Sequence, residues 1–126
     1  MNTDSLRPEL RWAIEAAQNK KATAMTLLDL RELGAFTDAF LLCTGFSPRQ
    51  VQAISDEIEK QLSHHKVRLA HREGYESAEW VLLDYGAFIV HIFSERARLF
   101  YDLERLWRAA QQIQIPDVVA PGATEP

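Results

Sequence analysis

The segment that most constrains the fold runs from residue 79 to residue 95 and reads EWVLLDYGAFIVHIFSE. Two apolar runs flank the turn sequence Asp-Tyr-Gly at 84–86, which predicts a β-hairpin. On the first strand we expect Trp80, Leu82 and Tyr85 to point to one side of the hairpin, yet neither side is polar. A sheet with one face in water alternates apolar and polar residues. Both faces of this hairpin therefore need a cover, either from the protein itself or from a partner.

Helical and strand patterns alternate along the rest of the chain. A first helix is predicted in SLRPELRWAIEAAQNKK, with Ser5 as its cap and Pro8 in the first turn. A second helix is predicted in SPRQVQAISDEIEKQL, where Ser47 caps, Pro48 takes the first position and Gln50 completes a capping box. Its apolar residues fall on one stripe: Val51, Ile54, Ile58 and Leu62. The remaining predicted elements are strands in ATAMTLLDL, GAFTDAFLLCTG and residues 67–71, and a C-terminal helix in RLFYDLERLWRAAQQ with Asp102 as cap and Leu103, Leu106 and Trp107 facing inward.

The predicted order, α-β-β-α-β-β-β-α, indicates an α/β or α+β fold with a mixed five-stranded sheet. We expect one domain over residues 1–115 and a flexible tail over residues 116–126, where the sequence is rich in Pro and Gly. Two long helices can cover one sheet face, and too few helices remain to cover the other. Two alternatives follow for that second face: the C-terminal helix covers it, or another protein does.

The composition of the chain restricts the functional classes to which the protein can belong. The single cysteine, Cys43, can form neither an internal disulfide nor a multi-cysteine zinc site, and this count fits a reducing cytoplasm. The net charge is −4 and no basic cluster exceeds NKK, so little direct contact with nucleic acid is expected. The N-terminus lacks the pattern of a secretory signal, and no apolar run approaches the length of a membrane span.

The sequence gives only weak signals for catalytic or metal-binding residues. His64 and His65 fit a solvated helix end better than a metal site. The loop TGFSPRQ precedes a helix and could hold a phosphate, but it is not a P-loop, and no closely spaced carboxylate pair follows it to bind magnesium. We therefore expect no catalytic residue, no metal and no cofactor. A nucleotide-binding enzyme related to nucleotidyltransferases is kept as the alternative.

Two long segments, TDAFLLCTGFSPRQVQAISDEIE and EGYESAEWVLLDYGAFIVHIFSERARLFYDLERLW, closely resemble the ribosomal silencing factor family, also called the Iojap-like family. The resemblance spans about residues 9–108. It implies a mixed five-stranded sheet, related to nucleotidyltransferases but without their catalytic carboxylates. It also implies a translational repressor that binds large-subunit ribosomal protein fourteen, blocks joining of the small subunit and acts when nutrients are scarce. The chain departs from the family at Ala87, where an acidic residue is usual.

The predicted partner-binding residues lie on the hairpin. We expect Trp80 and Tyr85 on its outward face as anchors, because Trp and Tyr dominate binding energy at protein interfaces. Phe93 is a weaker candidate, and Asp84 is expected to pair with a basic group of the partner. A further alternative is a homodimer in which self-association consumes the apolar face.

Overall fold

A computed structural model describes residues 7–117 of the chain. The predicted cap Ser5 and residues 118–126 of the predicted tail lie outside this range, and Pro116 and Asp117 follow the last strand. The elements are α1 (Pro8–Asn19), β1 (Thr23–Asp29), a 3₁₀ turn (Arg31–Leu33), β2 (Ala39–Gly45), α2 (Pro48–His64), β3 (His71–Glu73), β4 (Trp80–Asp84), β5 (Phe88–Ser94), α3 (Glu95–Tyr101), α4 (Leu103–Leu106) and β6 (Gln111–Ile115).

The strands form one mixed sheet in the order β3-β4-β5-β2-β1-β6. Only β2 and β5 run parallel, and the other neighbouring strands are antiparallel. The mixed α+β architecture is therefore as predicted, but the predicted number of five strands is wrong. The sixth strand comes from QQIQI, which we expected to begin at the end of a helix. Its Ile113 and Ile115 lie opposite Leu27 and Met25, so burial of alternate residues against β1 outweighs helix propensity.

Helices α1 and α2 cover one side of the sheet, which we call the helix-covered face. The stripe of Val51, Ile54, Ile58 and Leu62 along α2 is completely buried, as the sequence predicts. From the sheet, this face receives alternate residues, which pack in the same core cluster as α1 and α2: Leu27, Leu41, Cys43, Val81, Leu83, Phe88, Val90 and Ile92.

The opposite side, which we call the half-covered face, is covered within residues 7–117 by α3, α4 and the residues that follow them. Ala97 and Leu103 pack inward, and the Trp107 ring meets the Phe40 ring edge-on with centroids 5.3 Å apart. The predicted single C-terminal helix is wrong, because Asp102 adopts a left-handed conformation with φ 48° and separates two short helices. Asp102 makes no side-chain cap, and Leu106 faces outward instead of inward.

The hairpin of β4 and β5 is confirmed, with Gly86 in its turn at φ 86°. The strand predicted over residues 67–71 begins later, since pairing with β4 covers only His71–Glu73. Val67 instead closes the preceding helix by donating its backbone N–H to the carbonyl of Leu62. Backbone groups already used at a helix end are not available to a strand.

Candidate protein-binding surface

The half-covered face carries a cluster of exposed apolar side chains on its two short helices. Leu99, Phe100 and Leu106 are 82%, 78% and 74% exposed, and Tyr101 beside them is exposed as well. We call these four residues the apolar ridge. Helix α3 has seven residues and buries only Ala97, so the consecutive Leu-Phe-Tyr at 99–101 cannot all reach the core. The four residues line one groove, and neighbouring exposed apolar side chains are typical of a binding surface.

Trp80 extends the ridge onto the sheet. Its ring lies 4.5 Å from the ring of Tyr101 and 5.1 Å from that of Phe93, measured between centroids. A groove runs beside Trp80 and Tyr101 and is lined by Leu82, Glu73 and Glu79, among others. The surface thus combines aromatic side chains with a charged border, which is acidic beside Trp80 and carries Arg105 and Arg108 beside Leu106. An apolar centre with a polar border is common at protein interfaces.

Arg98 fixes the two short helices to the sheet. Its guanidinium donates to the carboxylate of Glu104 at 2.7 Å, to Thr44 Oγ1 at 2.9 Å and to Thr26 Oγ1 at 3.3 Å. Burial acts to raise the pKa of Glu104, but the hydrogen bonds and charge of Arg98 outweigh it and hold that pKa below its usual value. Because Arg98 links α3, α4, β1 and β2, the ridge is held in a fixed position over the sheet.

The structure separates the residues that the sequence placed in one site. Trp80 is half-buried on the half-covered face, and Phe93 is completely buried beneath it, so Phe93 can support a surface but cannot contact a partner. Asp84 shares the face of Trp80 but lies at the other end of β4, roughly 13 Å along the strand at 3.3 Å per residue. Its Oδ1 accepts the N–H of Gly86 at 2.8 Å, which stabilises the hairpin turn.

Tyr85 lies on the other side of the sheet, so the prediction that it shares an outward face with Trp80 is wrong. Its ring stacks on Phe88 with centroids 5.1 Å apart and packs against the helix-covered core. Burial raises the pKa of its hydroxyl. Ala87 packs against the same core, away from the ridge. The alternation along β4 already requires this, because Tyr85 continues the series of Val81 and Leu83 and not that of Trp80 and Leu82.

Sequence reasoning missed the apolar ridge itself. We expected Leu106 to face inward and drew no conclusion from Leu99, Phe100 or Tyr101. The signal was present in LFYDLERL, where large apolar residues follow one another too closely for one helical stripe. Their exposure also depends on the left-handed Asp102, which ends α3 after two turns.

The loop TGFSPRQ uses its polar groups to begin α2. Ser47 Oγ accepts the N–H of Gln50 at 3.1 Å, as predicted for the cap. The Gln50 side chain accepts the N–H of Phe46 at 2.6 Å, one residue earlier than a capping box requires. Its amide also donates to the carbonyls of Lys20 and Lys21, which joins the loop to the end of α1.

The described residues lack two other kinds of site. Within residues 7–117, no three or more His, Cys, Asp or Glu side chains cluster so that they could bind a metal ion. In the same range, none of the helices has both the length and the apolar character that crossing a membrane requires.

A six-stranded mixed sheet with one buried face and one face bearing an apolar ridge defines a small α+β domain with a candidate protein-binding surface. A family model described as "Ribosomal silencing factor during starvation" matches residues 3–126. Ribosomal silencing factor RsfS of Halalkalibacterium halodurans is 37% identical over 111 residues, which cover 88% of this chain and 95% of that protein. RsfS of Bacillus subtilis is 38% identical over 107 residues, covering 85% and 88% of the two chains.

The fold has matching solved structures as well. A crystal structure of a protein from Chromobacterium violaceum superposes with a TM-score of 0.78 at 33% identity, covering 100% of this chain and 98% of that one. The chain belongs to the ribosomal silencing factor family. The resemblance seen in the sequence motifs is therefore confirmed.

Proposed function

We propose that this chain represses translation by binding the large ribosomal subunit through ribosomal protein fourteen and blocking the small subunit from joining. The observation that carries the proposal is the apolar ridge beside Trp80, on the face that α1 and α2 leave free. The family's name describes a silencing factor of ribosomes. A repressor that acts by occupying a joining surface needs a binding surface and no reaction.

The ridge has the composition of an interface that can bind tightly. Aromatic residues held in place by their neighbours contribute most of the binding free energy at such surfaces. Trp80 and Tyr101 support each other, and Arg98 fixes the helix that carries Tyr101. Since these side chains are ordered before binding, less conformational entropy is lost on association.

Charge favours a basic protein as the partner. The chain carries a net charge of −4, and Glu73 and Glu79 line the groove beside Trp80. Arg105 and Arg108 line the neighbouring groove beside Leu106, so the acidic part of the border is the part near Trp80. Opposite charge near Trp80 speeds encounter with a basic protein, and the net negative charge of the chain disfavours approach to the phosphates of ribosomal RNA. A basic ribosomal protein satisfies this requirement. Its identity as ribosomal protein fourteen, action under nutrient limitation and a cytoplasmic location follow from the family resemblance and belong to the proposal.

The test is a calorimetric titration of purified ribosomal protein fourteen with the full chain and two matched variants. Phe100→Ala removes a ring of the ridge. Phe46→Ala removes an equally exposed ring, at 76% against 78%, from the loop before α2. We expect Phe100→Ala to weaken binding by about 2 kcal/mol and Phe46→Ala to leave it unchanged within about 0.5 kcal/mol. Equal effects of the two substitutions would contradict the proposed surface.

A second copy of the chain is the competing occupant of the ridge. Sedimentation of the chain alone and with ribosomal protein fourteen separates the two cases. A dimer that persists unchanged when ribosomal protein fourteen is added in excess would assign the ridge to self-association and contradict the proposal.

The nucleotide alternative has its own test. The hydrogen bonds of Ser47 and Gln50 within the loop occupy N–H groups that a phosphate would need. We therefore expect no measurable heat when ATP or CTP is titrated with magnesium at millimolar concentration. Binding with turnover would instead support a nucleotidyltransferase-like enzyme.

A further inference from the structure

His91 is a polar side chain inside the half-covered face. It lies on β5 opposite Leu82 and is 4% exposed. Its ring meets the ring of Phe40 edge-on, with centroids 4.6 Å apart. The indole N–H of Trp80 donates to His91 Nδ1 at 3.0 Å, across the hairpin and diagonally along it. The buried imidazole of His91 therefore holds the indole nitrogen of the half-buried Trp80.

The hydrogen bond fixes the form of the imidazole. An indole nitrogen only donates, so Nδ1 must accept and the ring must be neutral with its proton on Nε2. Burial lowers the pKa of His91 to about 4, which keeps the ring neutral near pH 7. The surrounding rings of Phe40 and Phe93 carry no charge.

Packing alone does not account for a histidine at this position. His91 Nε2 is buried and has no hydrogen-bond partner among residues 7–117. Burying an imidazole removes its polar atoms from water, and an apolar ring of similar size would fill the same space without that loss. What histidine adds over phenylalanine is the acceptor for Trp80.

We infer that His91 is a positioning residue, which holds the indole of Trp80 in the orientation that the partner surface requires. This inference rests on the proposed function, because it assigns His91 a role in that same surface. Trp80 also contacts Tyr101, so a fixed indole in turn supports the end of the apolar ridge. Without the acceptor, the half-exposed indole gains rotational freedom that binding must remove again.

The experiment compares His91→Phe with His91→Asn in the full chain. Phenylalanine keeps a ring but offers no acceptor, whereas the asparagine amide oxygen can accept from the indole N–H as Nδ1 does. The first readout is the indole N–H signal of Trp80 in proton–nitrogen NMR, assigned against Trp12 and Trp107 with Trp80→Phe. We expect His91→Phe to shift this signal and to raise its exchange with water at least about tenfold, while the other two indoles stay unchanged.

The second readout is affinity for purified ribosomal protein fourteen. We expect His91→Phe to weaken binding about tenfold, the effect of one lost hydrogen bond, and His91→Asn to stay within about threefold of the natural chain. In a chain that already carries Trp80→Phe, His91→Phe should have no further effect on affinity, because the two residues act as one unit. Thermal unfolding of each variant shows that it is folded before affinity is compared.

Three results would overturn the inference. The first is a His91→Phe variant in which the Trp80 indole N–H exchanges faster with water while the affinity for ribosomal protein fourteen is unchanged. The second is a weakening by His91→Phe that persists undiminished in the Trp80→Phe background, which would mean a general structural loss. The third is an indole signal that does not respond to His91→Phe. Failure of the proposed function is distinct: the natural chain would then not bind ribosomal protein fourteen, while the indole signal would still respond to His91→Phe.

Discussion

Both faces of the sheet are apolar, but one is completely covered by helices and the other only in part. On the helix-covered face, α1 and α2 bury Val81 and Leu83 completely. On the half-covered face, two short helices leave Trp80 and Leu82 half-buried and carry the apolar ridge into solvent. The difference comes from the covering layer and not from the strands. A strand that is apolar on one side shows that this face of the sheet must be buried. The length of the helices that pack on the face decides whether the protein buries it by itself.

The largest expected difference between the faces concerns two adjacent leucines on β4. Leu83→Ala opens a cavity under α2 and should lower the free energy of unfolding by roughly 2–5 kcal/mol. Leu82→Ala removes the same atoms from the half-covered face and should lower it by about 1 kcal/mol, because Leu82 is already partly solvated. Urea unfolding of both variants measures this. Equal losses would mean that the two faces are equally sealed.

The next effect tests whether the border of the half-covered face is rigid. Gly74 has φ 81°, and a Cβ there would overlap with the carbonyl oxygen of Trp80. Gly86 has φ 86° with open space around it. We expect Gly74→Ala to lower the free energy of unfolding by roughly 2–3 kcal/mol, and Gly86→Ala by only about 1 kcal/mol of backbone strain. Similar melting temperatures for both variants would show that the backbone at Trp80 shifts easily to make room for the added Cβ.

A pH titration tests the buried histidine of the half-covered face. Burial lowers the pKa of His91 from 6.5 to about 4, so the unfolded chain takes up a proton at this residue before the folded chain does. The stabilising effect of a neutral His91 is therefore complete above pH 6.5 and is lost as pH falls from 6.5 to about 4. At about 1.4 kcal/mol per unit, lowering the pH from 7 to 5 should reduce the free energy of unfolding by roughly 2 kcal/mol.

The control is His91→Asn, which retains His64, His65 and His71 but lacks the buried imidazole. Between pH 7 and pH 5, the free energy of unfolding of this variant should fall by about 2 kcal/mol less than that of the natural chain. If both proteins lose stability in parallel, His91 is accessible to protons in the folded chain and the half-covered face is more open than described.

The smallest expected effect on stability is the one most informative about function. Leu106→Ala truncates a side chain of the ridge and should change the free energy of unfolding by less than about 0.5 kcal/mol. Leu103→Ala, three residues earlier on α4, removes a buried side chain and should lower it by roughly 2–4 kcal/mol. Thermal unfolding compares them. A Leu106→Ala variant as unstable as Leu103→Ala would show that the ridge belongs to the core.

Local patterns predicted the elements whose stabilising contacts are close in sequence. Ser47 and the stripe from Val51 to Leu62 specify α2, because a cap and a helical repeat act within one helix. The hairpin follows likewise from two apolar runs and a turn. These local features were enough to place one helix layer on one face of a mixed sheet.

The rest depends on contacts between distant residues. β6 exists because it pairs with β1, more than 80 residues earlier, and only its first two residues, Gln111 and Gln112, fall in the predicted C-terminal helix. The break at Asp102 coincides with the clamp of Arg98 onto Thr26, Thr44 and Glu104, which no local pattern reveals. For the candidate site, the prediction placed Tyr85 beside Trp80, although alternation along β4 puts Tyr85 with Val81 and Leu83 on the helix-covered face. Contact between Trp80 and a partner stays a prediction.

The most direct test of the account is subunit joining, followed by light scattering of purified small and large subunits. Large subunits are first incubated with the natural chain or with Trp80→Ala, after thermal unfolding has shown that the variant is folded. The account predicts that the natural chain inhibits joining and that Trp80→Ala needs on the order of thirtyfold more protein for the same inhibition, about 2 kcal/mol of lost binding. A natural chain that leaves joining unaffected, or a folded Trp80→Ala that inhibits equally well, would contradict it.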